Sequence, residues 1–304
     1  MRAGVASNRS SLHDGRPVNR WIAGARPRTL PAAVVPVGVG AACAVGVGDI
    51  AWWRVGLALV VSLALQVGVN YANDYSDGVR GTDDARVGPT RLVASGLATP
   101  GSVRLAALVA LGVAAVAGAV LAVAVSWWLL TVGAAALSAA WLYTGGPKPY
   151  GYLGLGELFV FVFFGLVATT GTTFVAIEHV TGPSVAMGAG VGFLACALLV
   201  INNLRDIPTD TMAGKRTLAV RLGDRRTRWF YAALIAAAFG CAGAAAGWRW
   251  EVLLTLAAMP LAMVPVRTVA DGAVGSGLVP VLGATGRLQI AYGLAASVGL
   301  ALGG

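Results

Sequence analysis

The chain has 304 residues, of which 57% are hydrophobic and only 12% charged, and its mean hydropathy is +0.76. Soluble domains carry roughly 25% charged residues, so this composition excludes an ordinary soluble fold and describes an integral membrane protein. The net charge of +9 raises the question of nucleic acid, but the basic residues are scattered between apolar runs with no soluble module to present them, and no nucleic-acid partner is expected.

Taken in chain order, residues 1–20 hold Arg2, Arg9, Arg16 and Arg20, with no apolar core before Trp21. They lack the central region of a secretory signal and read as a disordered cytoplasmic tail, with residues 21–304 as a single transmembrane domain. Crossing about 30 Å of hydrocarbon takes roughly 20 helical residues. Runs of that kind are expected near 29–48, 52–74, 103–125, 127–145, 157–178, 185–205, 228–247, 251–270 and 285–303. They are rich in Ala, Leu, Val and Gly and lack the alternation of a membrane barrel. The expected fold is therefore all-α, with about nine transmembrane helices.

Placing the amino terminus inside leaves only Arg54 and Arg249 of the 22 basic residues in outer segments. That bias follows the positive-inside rule and predicts a multi-pass plasma-membrane protein with a cytoplasmic amino terminus. Cys43, Cys196 and Cys241 fall inside predicted spans without CxxC spacing and read as packing residues, while His13 and His179 are isolated. Neither set suggests a zinc or haem site.

Two polar segments break this pattern. The first runs from Asn70 through Asn73, Asp74 and Asp77 to Asp83 and Asp84; the second holds Asn202, Asn203, Arg205, Asp206 and Asp210. Each ends a long apolar run, four spans apart, and the loop count puts both on the cytoplasmic face. Asn70, Asn73, Asp74 and Asp77 share one helical stripe, as do Asn202, Asp206 and Asp210, although Pro208 is expected to kink or end that helix and to leave Asp210 in the following loop. A single such residue reads as a cap or a solvated loop. Two clusters ending two spans do not, because a carboxylate in the membrane costs about 2.5 to 3.5 kcal/mol and neighbouring ones repel. Oxygen ligands without His or Cys suit Mg²⁺, which keeps waters and bridges to phosphates. Arg80, Arg86, Arg91, Lys215 and Arg216 stand nearby to receive the remaining phosphate charge.

The opening ARPRTLPAAVVPVGVG, the segment NDYSDGVRGTDDARVGPTRLVASG and the segment NNLRDIPTDTMAGKRTLAVRLG resemble the UbiA superfamily of membrane-bound aromatic prenyltransferases. Within it they are similar to the 1,4-dihydroxy-2-naphthoate polyprenyltransferase branch, over about residues 21–221. The family's first motif, N-x-x-x-D-x-x-x-D, is matched by Asn73 and Asp77; Gly81 stands at its third place, with Asp83 two residues on. The second, D-x-x-x-D, is complete in Asp206 and Asp210.

The resemblance implies a helical bundle around a central cavity open to the cytoplasmic side. It implies Mg²⁺ held by Asn73, Asp77, Asp83, Asp206 and Asp210, and a polyprenyl diphosphate with its tail in the lipid bilayer. Tyr143 and Lys148, within the loop YTGGPKPYGY, are implied catalytic residues; Asn202 is a substrate-binding one, and Arg26 and Arg28 are candidates for the acceptor's carboxylate. The implied reaction ionises the diphosphate and prenylates 1,4-dihydroxy-2-naphthoate with loss of CO2, giving demethylmenaquinol. Other readings remain open. The acceptor could instead be 4-hydroxybenzoate, homogentisate, haem or a sugar phosphate, and a secondary transporter would also use intramembrane aspartates and broken helices, although nearer the midplane.

Overall fold

The computed structural model describes residues 19–82 and 91–304, and every regular element among them is helical. Helix α1 (Arg20–Ala25) starts at Asn19, whose side chain accepts the Trp21 N–H, and stops at Arg26, in the left-handed region at φ 53°. A 3-10 turn, Pro27–Thr29, leads into α2 (Pro31–Ala44). Helix α3 (Trp52–Arg80) carries the first polar segment from Asn70 to Asp77, with Asp83 and Asp84 outside the described residues, and ends at Gly81, φ 69°. A left-handed residue at this position is glycine's role. The third place of the first motif thus falls on a helix terminator, which explains the lack of a carboxylate there.

Thr99, accepting the Ser102 N–H, starts α4 (Pro100–Ala124), and α5 (Trp128–Leu142) follows. Helix α6 (Gly156–Val160) passes through a π-helical stretch, Phe161–Val167, into α7 (Ala168–Ile177). Here Gly165 lies so close to α8 (Gly182–Met212) that a Cβ on it would sit 2.4 Å from the Gly192 Cα. A reciprocal Thr181–Ser184 capping box begins α8.

Contrary to the expectation at Pro208, α8 continues to Met212. Proline removes only the bond to the Leu204 carbonyl. The Thr209 and Thr211 hydroxyls bond to the carbonyls of Asp206 and Ile207, and the Ala213 N–H reaches the Thr209 carbonyl. Asp210 therefore stays helical, one turn beyond Asp206.

Helix α9 (Leu218–Ala245) is broken at Gly223 (φ 75°, ψ 170°), a 3-10 stretch Trp250–Ala258 leads into α10 (Met259–Ala270), and α11 (Val279–Leu302) closes the bundle. Six units are long and apolar enough to cross a membrane: α3, α4, the α6–α7 unit, α8, α9 and Trp250–Ala270. The runs expected at 29–48 and 127–145 are shorter helices of 14 and 15 residues, and α11 is not among the six. The chain is a multi-pass helical membrane protein.

Helix α8 is the hub, with 67% of its apolar window buried against at most 39% in any other. Its Met187, Leu194 and Ile201 join Tyr231 of α9 and Leu288 and Tyr292 of α11 in the main core. A smaller core of Tyr71, Ala72, Leu92, Val103 and Ala107 ties α3 to α4. Outward faces keep large apolar side chains such as Leu105, Val116, Trp128 and Val264 exposed, as lipid contact permits.

Candidate active site

Helices α2 to α8 and α11 line a cavity of about 1180 Å³. One end is lined by Arg26, Arg28, Asn73, Asp77, Asp206 and Lys215, and the other by Ala58, Val61, Gly118, Leu129, Gly133 and Val175. A chamber with one charged and one apolar end suits an amphiphile with an anionic head.

Helix α3 supplies the first acidic group. Gln66, Asn70, Asn73 and Asp77, spaced by four, three and four residues, all face the cavity. Asp77 is 4% exposed and well partnered. Its Oδ1 accepts bonds from the Tyr152 hydroxyl, from Lys215 Nζ at 3.3 Å and from the Thr82 hydroxyl at 3.3 Å, and Arg91 Nη2 is 4.0 Å from Oδ2. Asn73 Oδ1 accepts the Thr144 hydroxyl at 2.7 Å. Asp74, one residue round the helix, is fully buried and accepts the backbone N–H groups of Leu92 and Val93 at 2.8 and 3.0 Å. It pins the returning chain and thereby sets Arg91.

Helix α8 supplies the second. Asp206 receives a bidentate pair from its own neighbour, Arg205, with Nε at 2.7 Å and Nη2 at 2.8 Å. Asp210 and Asn202 also line the cavity, and the Asn202 amide bonds back to the Leu198 carbonyl at 3.2 Å. Asn203 donates to Glu157 Oε1 at 2.9 Å, so the lone carboxylate of α6 serves to orient an asparagine on the wall.

The loop after α5 completes the chamber. Tyr143 lines it and packs edge-on against Tyr150, which stacks on Phe159 at 4.0 Å between centroids. Lys215 sits 4.6 Å from the Tyr152 ring centroid. Burial works to lower the Lys215 pKa, but the charges of Asp77, Tyr152 and Asp210 outweigh it and hold the ammonium above its ordinary value. Burial first, then the Asp77 charge, raises the Tyr152 phenol, which stays protonated and donates to that carboxylate.

Three residues singled out in the sequence are not on the cavity wall. Arg80 spends its guanidinium on the carbonyls of Thr144 and Gly146, fixing the loop that carries Tyr143. Lys148, in that same loop, is exposed and faces away from the chamber, and Arg216 is exposed while its backbone N–H bonds to the Tyr152 carbonyl. Asp83 and Arg86 lie outside the described residues. Conversely, Tyr152, Arg205 and Arg287 line the chamber without having been assigned roles. Arg205 stands inside the second polar segment, where its adjacency to Asp206 is the one available signal, whereas Arg287 lies in an apolar run and Tyr152 in an aromatic Gly/Pro loop with no spacing signal.

The donor set fits Mg²⁺. Among the described residues no three His, Cys, Asp or Glu groups form a closed metal cage. Instead Asp77 faces the chamber from one helix and Asp206 and Asp210 from another. Such incomplete oxygen sites suit an ion that keeps waters and takes its remaining ligands from phosphate.

Known proteins resemble this chain in sequence and in fold. The 1,4-dihydroxy-2-naphthoate octaprenyltransferase of Mycobacterium tuberculosis is 51% identical over 287 residues, covering 93% of this chain and 97% of that protein. The Escherichia coli protein of the same name is 36% identical over 235 residues, 73% of this chain and 74% of its own. In fold, a UbiA homolog from Aeropyrum pernix matches with a TM-score of 0.70 at 15% identity, covering 91% of this chain and 98% of that one. A UbiA homolog from Archaeoglobus fulgidus bound to DMAPP and Mg²⁺ matches at 0.64 and 18% identity, covering 92% and 99%. The model of the UbiA prenyltransferase family spans residues 33–274, which includes every described acidic residue on the cavity wall, and the chain belongs to that family.

Proposed function

We propose that this protein transfers a polyprenyl group from polyprenyl diphosphate to 1,4-dihydroxy-2-naphthoate, releasing diphosphate and CO2 and forming demethylmenaquinol. The observation that carries the reading is the convergence of Asp77, Asp206 and Asp210, with Lys215, Arg91 and Arg205, at one end of an otherwise apolar chamber. Relatives along nearly the whole chain are named for this reaction.

In the mechanism, Asn73, Asp77, Asp206 and Asp210, joined by Asp83, would hold Mg²⁺, which when bound would neutralise charge on the diphosphate head. Lys215 and Arg91 supply cationic hydrogen bonds to the same head, and Asn202 lines the wall beside it. The allylic C–O bond breaks with its electron pair leaving on diphosphate. The Tyr143 ring face stabilises the resulting cation by about 0.5 to 2 kcal/mol, as aromatic rings do for ammonium groups. Arg26 and Arg28 hold the acceptor's carboxylate. The ring carbon bearing that carboxylate forms the new C–C bond, and the electrons of its bond to CO2 return to the ring and restore aromaticity. This sequence requires no proton abstraction at that carbon.

In this reading the chamber opens to the cytoplasm, about nine helical segments cross the membrane and residues 21–304 make up one membrane domain, while residues 1–18 of the expected cytoplasmic tail lie outside the described residues. The cytoplasmic excess of arginine and lysine supports this orientation. The test is purified protein with Mg²⁺, a labelled polyprenyl diphosphate and each aromatic acid in turn. Prenylated naphthoquinol with one CO2 per turnover is expected. Prenylation of 4-hydroxybenzoate but not of dihydroxynaphthoate would overturn the acceptor, and unchanged label would overturn the enzyme.

A further inference from the structure

Between Asp77 and the apolar end of the chamber, three side chains and two carbonyls form a hydrogen-bond network with a fixed direction. The Thr29 hydroxyl donates to the Arg26 carbonyl at 2.9 Å, which consumes its only proton and leaves its oxygen as an acceptor. Two amides fill that oxygen: Asn70 Nδ2 at 2.9 Å and Gln66 Nε2 at 3.0 Å. Asn70 Nδ2 gives its second proton to the Ala25 carbonyl at 2.9 Å, so Asn70 cannot be reversed without setting oxygen against oxygen. Its Oδ1 therefore faces Gln66 and accepts the second Nε2 proton at 3.5 Å. Every donor and acceptor of these three side chains is assigned except Gln66 Oε1.

Gln66 is 7% exposed and lies on the cavity wall. Its Oε1 has no hydrogen-bond partner among the described residues, yet it is not one of the sealed, unpartnered polar atoms. The exposure that remains opens onto the chamber. At 1.5 Å per residue, Gln66 stands about 16 Å below Asp77 along α3, which leaves depth for a diphosphate head and an aromatic ring between them. Below it the α3 lining is Leu65, Val61 and Ala58, with Ser62, whose hydroxyl is spent on the Ala33 carbonyl at 2.8 Å.

We infer that Gln66 is a specificity residue that accepts a hydrogen bond from a phenolic hydroxyl of the aromatic acceptor. An amide oxygen locked in this orientation takes only a donor, which excludes carboxylate and diphosphate from the position and leaves those to the arginines. On the proposed acceptor, the hydroxyl ortho to the carboxylate is internally bonded to it. The hydroxyl at position 4 has no internal partner, and Gln66 takes that one. The inference rests on the proposed naphthoate reaction and deepens it: the site selects a ring that carries both a carboxylate and a free hydroxyl meta to it.

The test compares 1,4-dihydroxy-2-naphthoate with 1-hydroxy-2-naphthoate, which lacks only the 4-hydroxyl, in the wild type, in Gln66→Met and in Thr29→Val. The wild type should prefer the dihydroxy acid by about tenfold or more in kcat/KM, the scale of one buried hydrogen bond left unmade. Gln66→Met, similar in volume and without the acceptor oxygen, should bring that ratio near one by raising KM for the dihydroxy acid, while the KM for prenyl diphosphate stays put. Thr29→Val, which frees the amide to rotate, should reduce the ratio partway, and it decides the question if Gln66→Met does not fold. A preserved ratio in the variants, no preference in the wild type, or an equal loss with both acceptors would overturn the inference while leaving the naphthoate reaction intact. Failure of the wild type to prenylate either acid would overturn both.

Discussion

Arg54 and Arg249, the two basic residues that break the inside bias, are held by helix ends. Arg249 is 9% exposed and donates to the carbonyls of Ala42, Val45 and Leu300, at the carboxyl ends of α2 and α11. Arg54 bonds the Ala124 carbonyl at the end of α4, the Val175 carbonyl of α7 and Glu178 at 2.6 Å. A guanidinium at these ends meets the negative pole of a helix and its unbonded carbonyls. Charged hydrogen bonds contribute about 1.5 to 3 kcal/mol when buried. Arg249→Ala should therefore lower the thermal midpoint in detergent clearly, whereas Arg225→Ala, at an exposed position, should leave it unchanged. Equal midpoints for the two variants would contradict this assignment. A second residue-scale prediction concerns pH. Lys215 and Tyr152 both have folded pKa values above their ordinary ones, so each stabilises the fold below its unfolded value and loses that contribution as pH rises through the folded value. The window opens near pH 10, the ordinary tyrosine value, and extends above the lysine value of 10.5. Stability should fall there in the wild type and less steeply in Lys215→Met.

At the scale of elements, two helices bring chemistry to one place. Helix α3 presents Gln66, Asn70, Asn73 and Asp77 along one face, and α8 presents Asn202, Asp206 and Asp210 along another. Because Asp77 and Asp206 lie on the wall and not in a packed core, Asp77→Asn and Asp206→Asn should each reduce turnover at least a hundredfold. The folded fraction recovered in detergent should stay close to that of the wild type. Activity within tenfold of wild type in either would refute the two-motif mechanism. The α6–α8 contact predicts the opposite. Gly192 would place a Cβ 2.9 Å from the Phe161 ring and 3.0 Å from the Phe161 carbonyl oxygen, where the π-helical stretch meets α8. Gly192→Leu should compromise folding itself, seen as loss of monodisperse protein on gel filtration. Asn70, Asn73 and Asp77, and Asn202, Asp206 and Asp210, were legible as stripes because a 3.6-residue period places such spacings on one side; Asp74, expected on the first stripe, instead turns to the backbone of Leu92 and Val93. The continuation of α8 past Pro208 was not, because it depends on local hydroxyl bonds that proline's general tendency does not foresee.

For the molecule as a whole, the composition was enough to place the chain in a membrane as helices, since no lipid-exposed backbone survives there without internal bonding. The spacing of acids and amides, with oxygen donors and no histidine, was enough to mark two cation-binding stripes, because helical period and ligand hardness are local properties. Only the tertiary structure decided which cations meet those acids. Lys148, Arg80 and Arg216 looked equivalent to Lys215 and Arg91 as nearby charges, yet the first three support a loop or face outward and the last two reach Asp77. Tyr152 on Asp77, and the Thr29, Asn70 and Gln66 network that joins α3 to the turn before α2, were equally hidden. These contacts join residues far apart in the chain, and their geometry is set by how helices pack, which no local pattern encodes.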